Sequence, residues 1–165
     1  MQMLAVDLDE TLINRCQESS SHPDSITYTV ADVMTSDGRQ SLTNYMQLHD
    51  IQRFDVVTCF SVTMWIHLHH GDAGMRDFLS YMSSLCERLL VEPQPWSCYR
   101  NAVRRMRKLD CETFPEFSRL TWRQHVHADI ERFLLESCSM KLSNQYGVTD
   151  DWKRPMYLFT RDNVT

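Results

Sequence analysis

Short apolar runs alternate with stretches of helical periodicity along this chain. Six runs rich in β-branched and aromatic residues predict strands, at Met3–Asp7, Ile26–Val30, Phe54–Phe60, 89–92, Met140–Tyr146 and 156–160. Between them, apolar residues three and four positions apart predict helices, at 9 to about 18, within 33–53, and at 72–86, 98–108 and 128–137. This alternation, closed by two consecutive strands, predicts an α/β sheet flanked by helices and ending in an antiparallel pair.

Polar and aromatic side chains stand where several predicted strands end. Asp7 ends the first strand, Asp32 follows the second, and Gln94 and Trp96 follow the fourth. Segment 61–72 follows the third strand, contains three histidines, and is interpreted as a loop. Ligands of an open α/β sheet bind beyond the carboxyl ends of its strands. The sequence therefore predicts a binding site at these positions.

Length and composition favour one intracellular domain. At 165 residues and 19.5 kDa, we expect a single domain over 1–165. No run approaches the roughly 18 apolar residues that a membrane helix needs, and the amino terminus lacks a signal-peptide pattern. The six cysteines are scattered without a C-x-x-C pair. We therefore expect reduced thiols and a cytoplasmic location, with the nucleus as the alternative.

The charge of the chain limits the kinds of nucleic-acid binding that it can support. The net charge of −5 argues against a protein that coats nucleic acid without specificity, but it is compatible with one that grips only an RNA end. Five Arg and Lys residues fall within 100–108. They are either a solvated helix face or a contact with the RNA backbone, and the sequence leaves both readings open.

Histidines raise the question of a metal site. His67 and His69 would share one face of an extended segment, and His125 and His127 could supply further ligands. A zinc site needs three or four protein ligands in a fixed geometry, and nothing in the spacing provides one. We expect no metal. Signatures of serine hydrolases, P-loop proteins and zinc proteases are absent from the sequence.

Two segments carry a family resemblance: residues 54–72, and residues 89–96 with the sequence Leu-Leu-Val-Glu-Pro-Gln-Pro-Trp. They resemble the Bicoid-interacting-3 type of S-adenosylmethionine-dependent RNA methyltransferase, and especially the branch acting on 5′-monophosphates of RNAs such as precursor microRNA and histidine tRNA. The resemblance covers 3–159. It implies a Rossmann-like class I methyltransferase sheet, S-adenosylmethionine as cofactor and an RNA 5′ end as partner.

The same resemblance implies a first strand and a glycine-rich loop ahead of the strand at Met3–Asp7. The sequence contains four glycines and no G-x-G. We therefore expect the methyltransferase domain to be amino-terminally incomplete.

The resemblance, together with the positions of Gln94 and Trp96 after the fourth strand, assigns roles to eight residues. Those on the cofactor side are Asp7 for the ribose, Asp32 and Val33 beside the adenine, and Phe60. Those on the RNA side are His67, Gln94, Trp96 as a stacking surface for a terminal base, and Arg154 as a partner of the phosphate. A terminal phosphate is largely dianionic at pH 7 and is already a nucleophile, so no residue is assigned as a catalytic base. A hydrogen-bonded structural role for His67, a core role for Trp96 and a helix-capping role for Asp9 stay open.

Two other functions compete with O-methylation of RNA 5′-monophosphates. One is a catalytically inactive relative that binds RNA or a protein. The other is a methyltransferase for a small molecule, since one fold hosts many substrates. We expect a monomer.

Overall fold

Strands and helices alternate through the residues that the computed structural model describes, 2–147 and 154–162. The strands are β1 Met3–Asp7, β2 Ile26–Val30, β3 Phe54–Phe60, β4 Cys86–Glu92, β5 Met140–Tyr146 and β6 Met156–Arg161. The helices are α1 Glu10–Glu18, α2 Ser36–Leu48, α3 Thr63–Ser84, α4 Trp96–Lys108 and α5 Val126–Ser137, with a short 3₁₀ helix at Pro115–Ser118. The six predicted strands are confirmed, and β4 begins three residues earlier than predicted.

The chain divides into two compact units, Met1–Gln52 (the first unit) and Arg53–Thr165 (the second unit). In the first unit β1 and β2 pair in parallel, with Asp7 opposite Val30. The helix-capping role of Asp9 is confirmed, because its Oδ1 accepts hydrogen bonds from the backbone N–H of Thr11 at 2.8 Å and of Leu12 at 3.3 Å. The expectation of a single domain over 1–165 stays a prediction.

The sheet of the second unit has the strand order β3-β4-β6-β5. β4 runs parallel to β3 and antiparallel to β6, and β5 and β6 form the predicted antiparallel pair. Leu89 and Val91 of β4 are fully buried. The core of this unit therefore lies against β4, which fixes where the carboxyl end of β4 emerges.

The loop predicted at 61–72 is wrong, because α3 begins at Thr63 and runs through the histidines. Met64, Leu68 and Met75 are buried on this helix, so its apolar periodicity starts eight residues before the predicted helix at 72. Gly71 interrupts the helix with φ 67° and ψ −172°. That left-handed conformation suits glycine, and it joins two helical segments across a kink.

The kink lets a buried polar network form across α3. On a regular helix, residues five apart point to different sides, yet His67 Nε2 lies 2.7 Å from Asp72 Oδ1. Asp72 Oδ2 accepts hydrogen bonds from the backbone N–H of Thr121, at 2.8 Å, and from its hydroxyl. His67 Nδ1 lies 3.1 Å from the hydroxyl oxygen of Tyr99. The network therefore joins α3 to α4 and to the segment after the 3₁₀ helix.

Proton positions in this network follow from its electrostatics. Burial raises the pKa of Asp72, but hydrogen bonds from Thr121, His67 and Trp122 outweigh burial and lower that pKa from 3.8 to about 2. An ionised carboxylate only accepts, so His67 Nε2 carries the hydrogen that it donates. Burial lowers the pKa of His67 and raises that of Tyr99. His67 is therefore neutral, and its Nδ1 accepts from the protonated Tyr99 hydroxyl.

Asp72 should make stability depend on pH. Its folded-state pKa lies below its unfolded value, so its contribution is complete above pH 3.8 and is lost as the pH falls through about 2. The full contribution is about 2 kcal/mol. Urea unfolding followed by tryptophan fluorescence reports on the second unit, which contains all four tryptophans. The stability gap between the wild-type protein and Asp72→Asn should narrow as the pH falls from about 5 towards 2.

Asp110→Asn is the matched control, because Asp110 is an exposed aspartate of the same unit. Its stability gap to the wild-type protein should not change over this pH range. A gap for Asp72→Asn that is equally insensitive to pH would contradict the assigned pKa and the network.

Candidate functional site

The carboxyl ends of β3 and β4 meet at Ser61 and Glu92. The parallel register places Phe60 opposite Glu92, and the next residue, Ser61, adopts a left-handed φ of 56°. Glu92 Oε2 accepts from the Ser61 backbone N–H at 3.1 Å and from its hydroxyl at 3.0 Å. A left-handed serine costs about 1–3 kcal/mol, and these two hydrogen bonds help to hold it.

Arg154 completes a cluster that we call the Glu92 cluster: Ser61, Glu92 and Arg154. Arg154 Nη1 donates to Ser61 Oγ at 2.7 Å and lies 3.6 Å from Glu92 Oε2. The side chains of Arg154 and Glu92 are only 12% and 7% exposed. The Arg154 guanidinium therefore lies at the predicted strand ends, where Glu92 offsets part of its charge. Its contact with phosphate stays a prediction.

Gln94 positions the start of α3. Its side chain is buried, and its Oε1 accepts from the Thr63 hydroxyl at 2.8 Å and from the Met64 backbone N–H at 3.1 Å. The N-cap residue of α3, Val62, makes no side-chain cap, so Gln94 satisfies an amide that the helix leaves open. Within the described residues the Nε2 amide of Gln94 makes no hydrogen bond, which leaves donors for a ligand.

Trp96 is half-buried at the first turn of α4. Its ring stacks on Phe117, with centroids 5.1 Å apart and planes 4° apart, and it lies 5.0 Å from the ring of Tyr99. The Arg123 guanidinium carbon lies 6.0 Å from the Trp96 ring centroid. Aromatic neighbours thus cover part of the ring. These contacts fit, in part, the alternative that Trp96 belongs to the core. Stacking of Trp96 on a terminal base stays a prediction.

His67 lies inside the second unit, with its side chain fully buried. Both ring nitrogens have protein partners, Tyr99 and Asp72. A direct contact between His67 and an RNA phosphate would require this network to open, since the neutral ring has no spare donor. The geometry fits the structural alternative for His67, because its hydrogen bond with Tyr99 joins α3 to α4.

The first unit carries two carboxylates at one edge of its sheet. Asp7 Oδ1 accepts from the Asp9 backbone N–H at 2.8 Å, and Asp32 Oδ1 accepts from that of Met34 at 2.9 Å. The Ala31 N–H donates to the Asp7 carbonyl, so both acids follow the carboxyl ends of paired strands. The second carboxylate oxygen of each makes no hydrogen bond to any described residue. Each carboxylate is therefore oriented while keeping an acceptor for a ligand.

The backbone around Asp32 and Val33 is held closely. The Val33 carbonyl accepts from Arg39 Nε at 3.0 Å. A Cβ on Gly38 would lie 1.9 Å from the Asp32 carbonyl oxygen, so only glycine permits this approach of α2. The remaining predicted cofactor residue, Phe60, belongs to the second unit, where it ends β3 half-exposed.

Sequence reasoning missed the partners that fix several of these residues. Asp72 was seen only as the start of a helix, and Thr121 lies 49 residues further along the chain. The one local signal was a Gly-Asp pair within a helical pattern, five residues after His67. A glycine there permits the kink that brings Asp72 to His67.

Residues 2–147 and 154–162 contain neither a cluster of metal-ligating side chains nor a helix suited to crossing a membrane. No group of three or more His, Cys, Asp or Glu residues in those ranges is placed to hold a metal ion. None of the helices described there combines the length and apolarity needed to cross a bilayer.

Solved structures of methyltransferases share this fold. The N-methyltransferase NodS from Bradyrhizobium japonicum, solved with S-adenosylhomocysteine, aligns with 97% of this chain and 66% of its own, at a TM-score of 0.59 and 11% identity. The bifunctional kinase-methyltransferase WbdD aligns with 96% of this chain and 29% of its own, at a TM-score of 0.54 and 17% identity. The predicted Rossmann-like class I methyltransferase fold is confirmed.

Sequence comparison identifies the family. The RNA 5′-monophosphate methyltransferase of Rattus norvegicus is 41% identical over 160 residues, which cover 96% of this chain and 56% of the relative. The pre-miRNA 5′-monophosphate methyltransferase of Danio rerio is 41% identical over 162 residues, which cover 98% and 63%. The chain thus spans little more than half the length of these relatives. The family model of Bicoid-interacting protein 3 (Bin3) matches residues 54–161, nearly all of the second unit, and the chain belongs to that family.

Proposed function

We propose that the protein is an S-adenosylmethionine-dependent O-methyltransferase acting on the 5′-monophosphate end of small RNAs, of the precursor microRNA or tRNA type. The observation that carries the proposal is the 41% identity, over 160 residues that run through both units, to proteins named RNA 5′-monophosphate methyltransferases. The geometry of each unit supports it separately.

The first unit fits the nucleoside half of the cofactor. Ribose hydroxyls and the adenine amino group are hydrogen-bond donors, and Asp7 and Asp32 each keep one carboxylate oxygen without a partner in the described residues. Their place after paired parallel strands is where open α/β sheets bind nucleosides. When bound, S-adenosylmethionine supplies an electrophilic methyl group on a sulfonium. Asp7 would hold the ribose, and Asp32 and Val33 would border the adenine.

The second unit supplies groups suited to a phosphate. Arg154 places a guanidinium beside Ser61 and Glu92 at the ends of β3 and β4, and the Gln94 amide keeps its Nε2 donors. A terminal phosphate has its second pKa near 6, so its oxygen attacks without a catalytic base. The work left to these residues is to hold that oxygen in line with the methyl group, at about 3–3.5 Å from it.

The proposed location is the cytoplasm, with the nucleus as the alternative. The six cysteines, all within the described residues, are unpaired thiols. That state supports a reducing compartment.

Binding of S-adenosylhomocysteine should depend on Asp7. Its replacement by alanine removes hydrogen bonds from the ribose to a charged acceptor, each worth on the order of 1.5–3 kcal/mol. Isothermal titration calorimetry should therefore show Asp7→Ala binding at least about 10-fold more weakly. Asp24→Ala, which removes an exposed carboxylate of the same unit, should bind like the wild-type protein. Equal affinity for Asp7→Ala and the wild-type protein would refute the ribose assignment.

Methyl transfer should depend on the 5′ group of the RNA. We expect labelled methyl from S-adenosylmethionine to appear on a 5′-monophosphate RNA and not on the same RNA with a 5′-hydroxyl, which offers no oxyanion. Label on both RNAs, or on internal bases, would contradict the proposal. Binding of 5′-monophosphate RNA without transfer would instead support the inactive, RNA-binding alternative.

Arg154→Ala tests the RNA side of the same assay. It should weaken use of the 5′-monophosphate RNA while leaving affinity for S-adenosylhomocysteine nearly unchanged. Arg132→Ala is the matched control, because Arg132 is an exposed arginine paired with Asp129 on α5. A thermal melt of each variant separates loss of contact from loss of folding.

A further inference from the structure

Charge is distributed unevenly along this chain. Residues 1–52 contain two Lys and Arg against eight Asp and Glu, a net charge of −6, whereas residues 53–165 contain fifteen against fourteen, a net charge of +1. α4 alone contributes five of those fifteen cations and contains no acidic residue. The overall acidity of the protein therefore hides a strongly basic helix.

The cations of α4 form one exposed surface, which we call the basic face: Arg100, Arg104, Arg105, Arg107 and Lys108. The opposite side of the helix is buried through Tyr99, Ala102 and Val103. None of the five cations forms an ion pair or a side-chain hydrogen bond within the described residues. The basic face is therefore solvated and is not neutralised by the protein.

Ordinary helix electrostatics explains only part of the basic face. Cations in the last turn stabilise a helix through its macrodipole, which accounts for Arg105, Arg107 and Lys108. Arg100 and Arg104 lie too far from the carboxyl terminus for that effect. Four residues separate Arg100 from Arg104 and Arg104 from Lys108, a spacing at which like charges repel and destabilise a helix.

Three other surface arginines of the second unit are each paired with a nearby carboxylate. Arg53 lies 3.2 Å from Glu87, Arg119 lies 3.1 Å from Glu116, and Arg132 pairs with Asp129. The basic face departs from that pattern. Its repulsion would be relieved by a ligand carrying several negative charges.

The position of α4 relates the basic face to the Glu92 cluster. The helix begins two residues after Gln94, which follows the carboxyl end of β4. Arg100 to Lys108 spans about 12 Å of helix axis. One strand of B-form DNA advances about 3.4 Å per nucleotide, so a helix segment of that length can contact several consecutive phosphates of a nucleic-acid strand.

We propose that the basic face of α4 binds the phosphate backbone of the RNA, downstream of its 5′ end. The identity of the polyanion rests on the proposed function. RNA is favoured over an acidic protein because backbone phosphates need only Arg and Lys donors, whereas the centre of a protein interface also buries aromatic or apolar side chains. The exposed residues of α4 include no aromatic or large apolar side chain: Ser97, Arg100, Asn101, Arg104, Arg105, Arg107 and Lys108.

A triple variant, Arg100→Gln with Arg104→Gln and Arg107→Gln, tests the basic face. Its binding to one single-stranded RNA, with either a 5′-monophosphate or a 5′-hydroxyl, is measured by fluorescence anisotropy over a range of salt concentrations. We expect affinity for both RNAs to fall at least 10-fold. The slope of log affinity against log salt should become shallower by about 2. Three phosphate contacts are removed, and each contributes about 0.7 to the slope on single strands.

The matched control is Arg53→Gln with Arg119→Gln and Arg132→Gln, which loses the same charge from paired positions. It should retain the wild-type slope. An unchanged slope and affinity in the α4 variant would overturn the inference, even where the preference for a 5′-monophosphate persists. Binding of a Glu-rich peptide that the α4 variant loses, with RNA binding intact, would assign the face to a protein and also overturn it.

The proposed function and this inference fail separately. If the α4 variant shows a shallower salt dependence while the wild-type protein transfers methyl to no RNA, RNA binding by the basic face is supported and the proposed enzyme activity is refuted. If the wild-type protein transfers methyl only to the 5′-monophosphate RNA while the α4 variant keeps the wild-type slope, the enzyme activity is supported and the inference about the basic face is refuted.

Discussion

The carboxylate of Glu92 is the contact on which the site of the second unit depends. It ends β4, holds Ser61 after β3, and pairs with Arg154 ahead of β6. A carboxylate that is 7% exposed is costly without a partner, so the ends of these three strands are fixed together. Gln94, two residues on, secures the start of α3 in the same way. One buried strand end therefore positions Arg154 and leads directly into Gln94, two of the four residues assigned to the RNA.

Local pattern was enough to predict the strands and most helices. Apolar runs with β-branched residues gave β1, β2, β3 and β5 their bounds, and Asp9 before a periodic stretch gave the cap of α1. The start of α3 was missed because what stabilises it is not local: Gln94, some thirty residues away, accepts from its first amides. Gly71 and the histidines also made a helical stretch resemble a loop.

The candidate site could likewise be predicted only where local sequence determines it. Asp7 and Asp32 could be named from their places after strands, because parallel strands bring their carboxyl ends to one edge. The surroundings of His67 could not, because Tyr99 and Thr121 reach its network only through the tertiary fold. A family resemblance can assign His67 a role, but only burial and hydrogen bonding show that its ring nitrogens are already engaged.

We expect Glu92 and Arg154 to be energetically coupled at the end of β4. A double-mutant cycle with Glu92→Gln and Arg154→Gln tests it most directly, with the free energy of unfolding measured in urea by tryptophan fluorescence. Each single variant breaks this ion pair and leaves the other, mostly buried charge in place, so the double variant should lose less free energy of unfolding than the sum of the two single variants. The expected coupling energy is about 1–3 kcal/mol. Additive losses, with a coupling below about 0.5 kcal/mol, would contradict it.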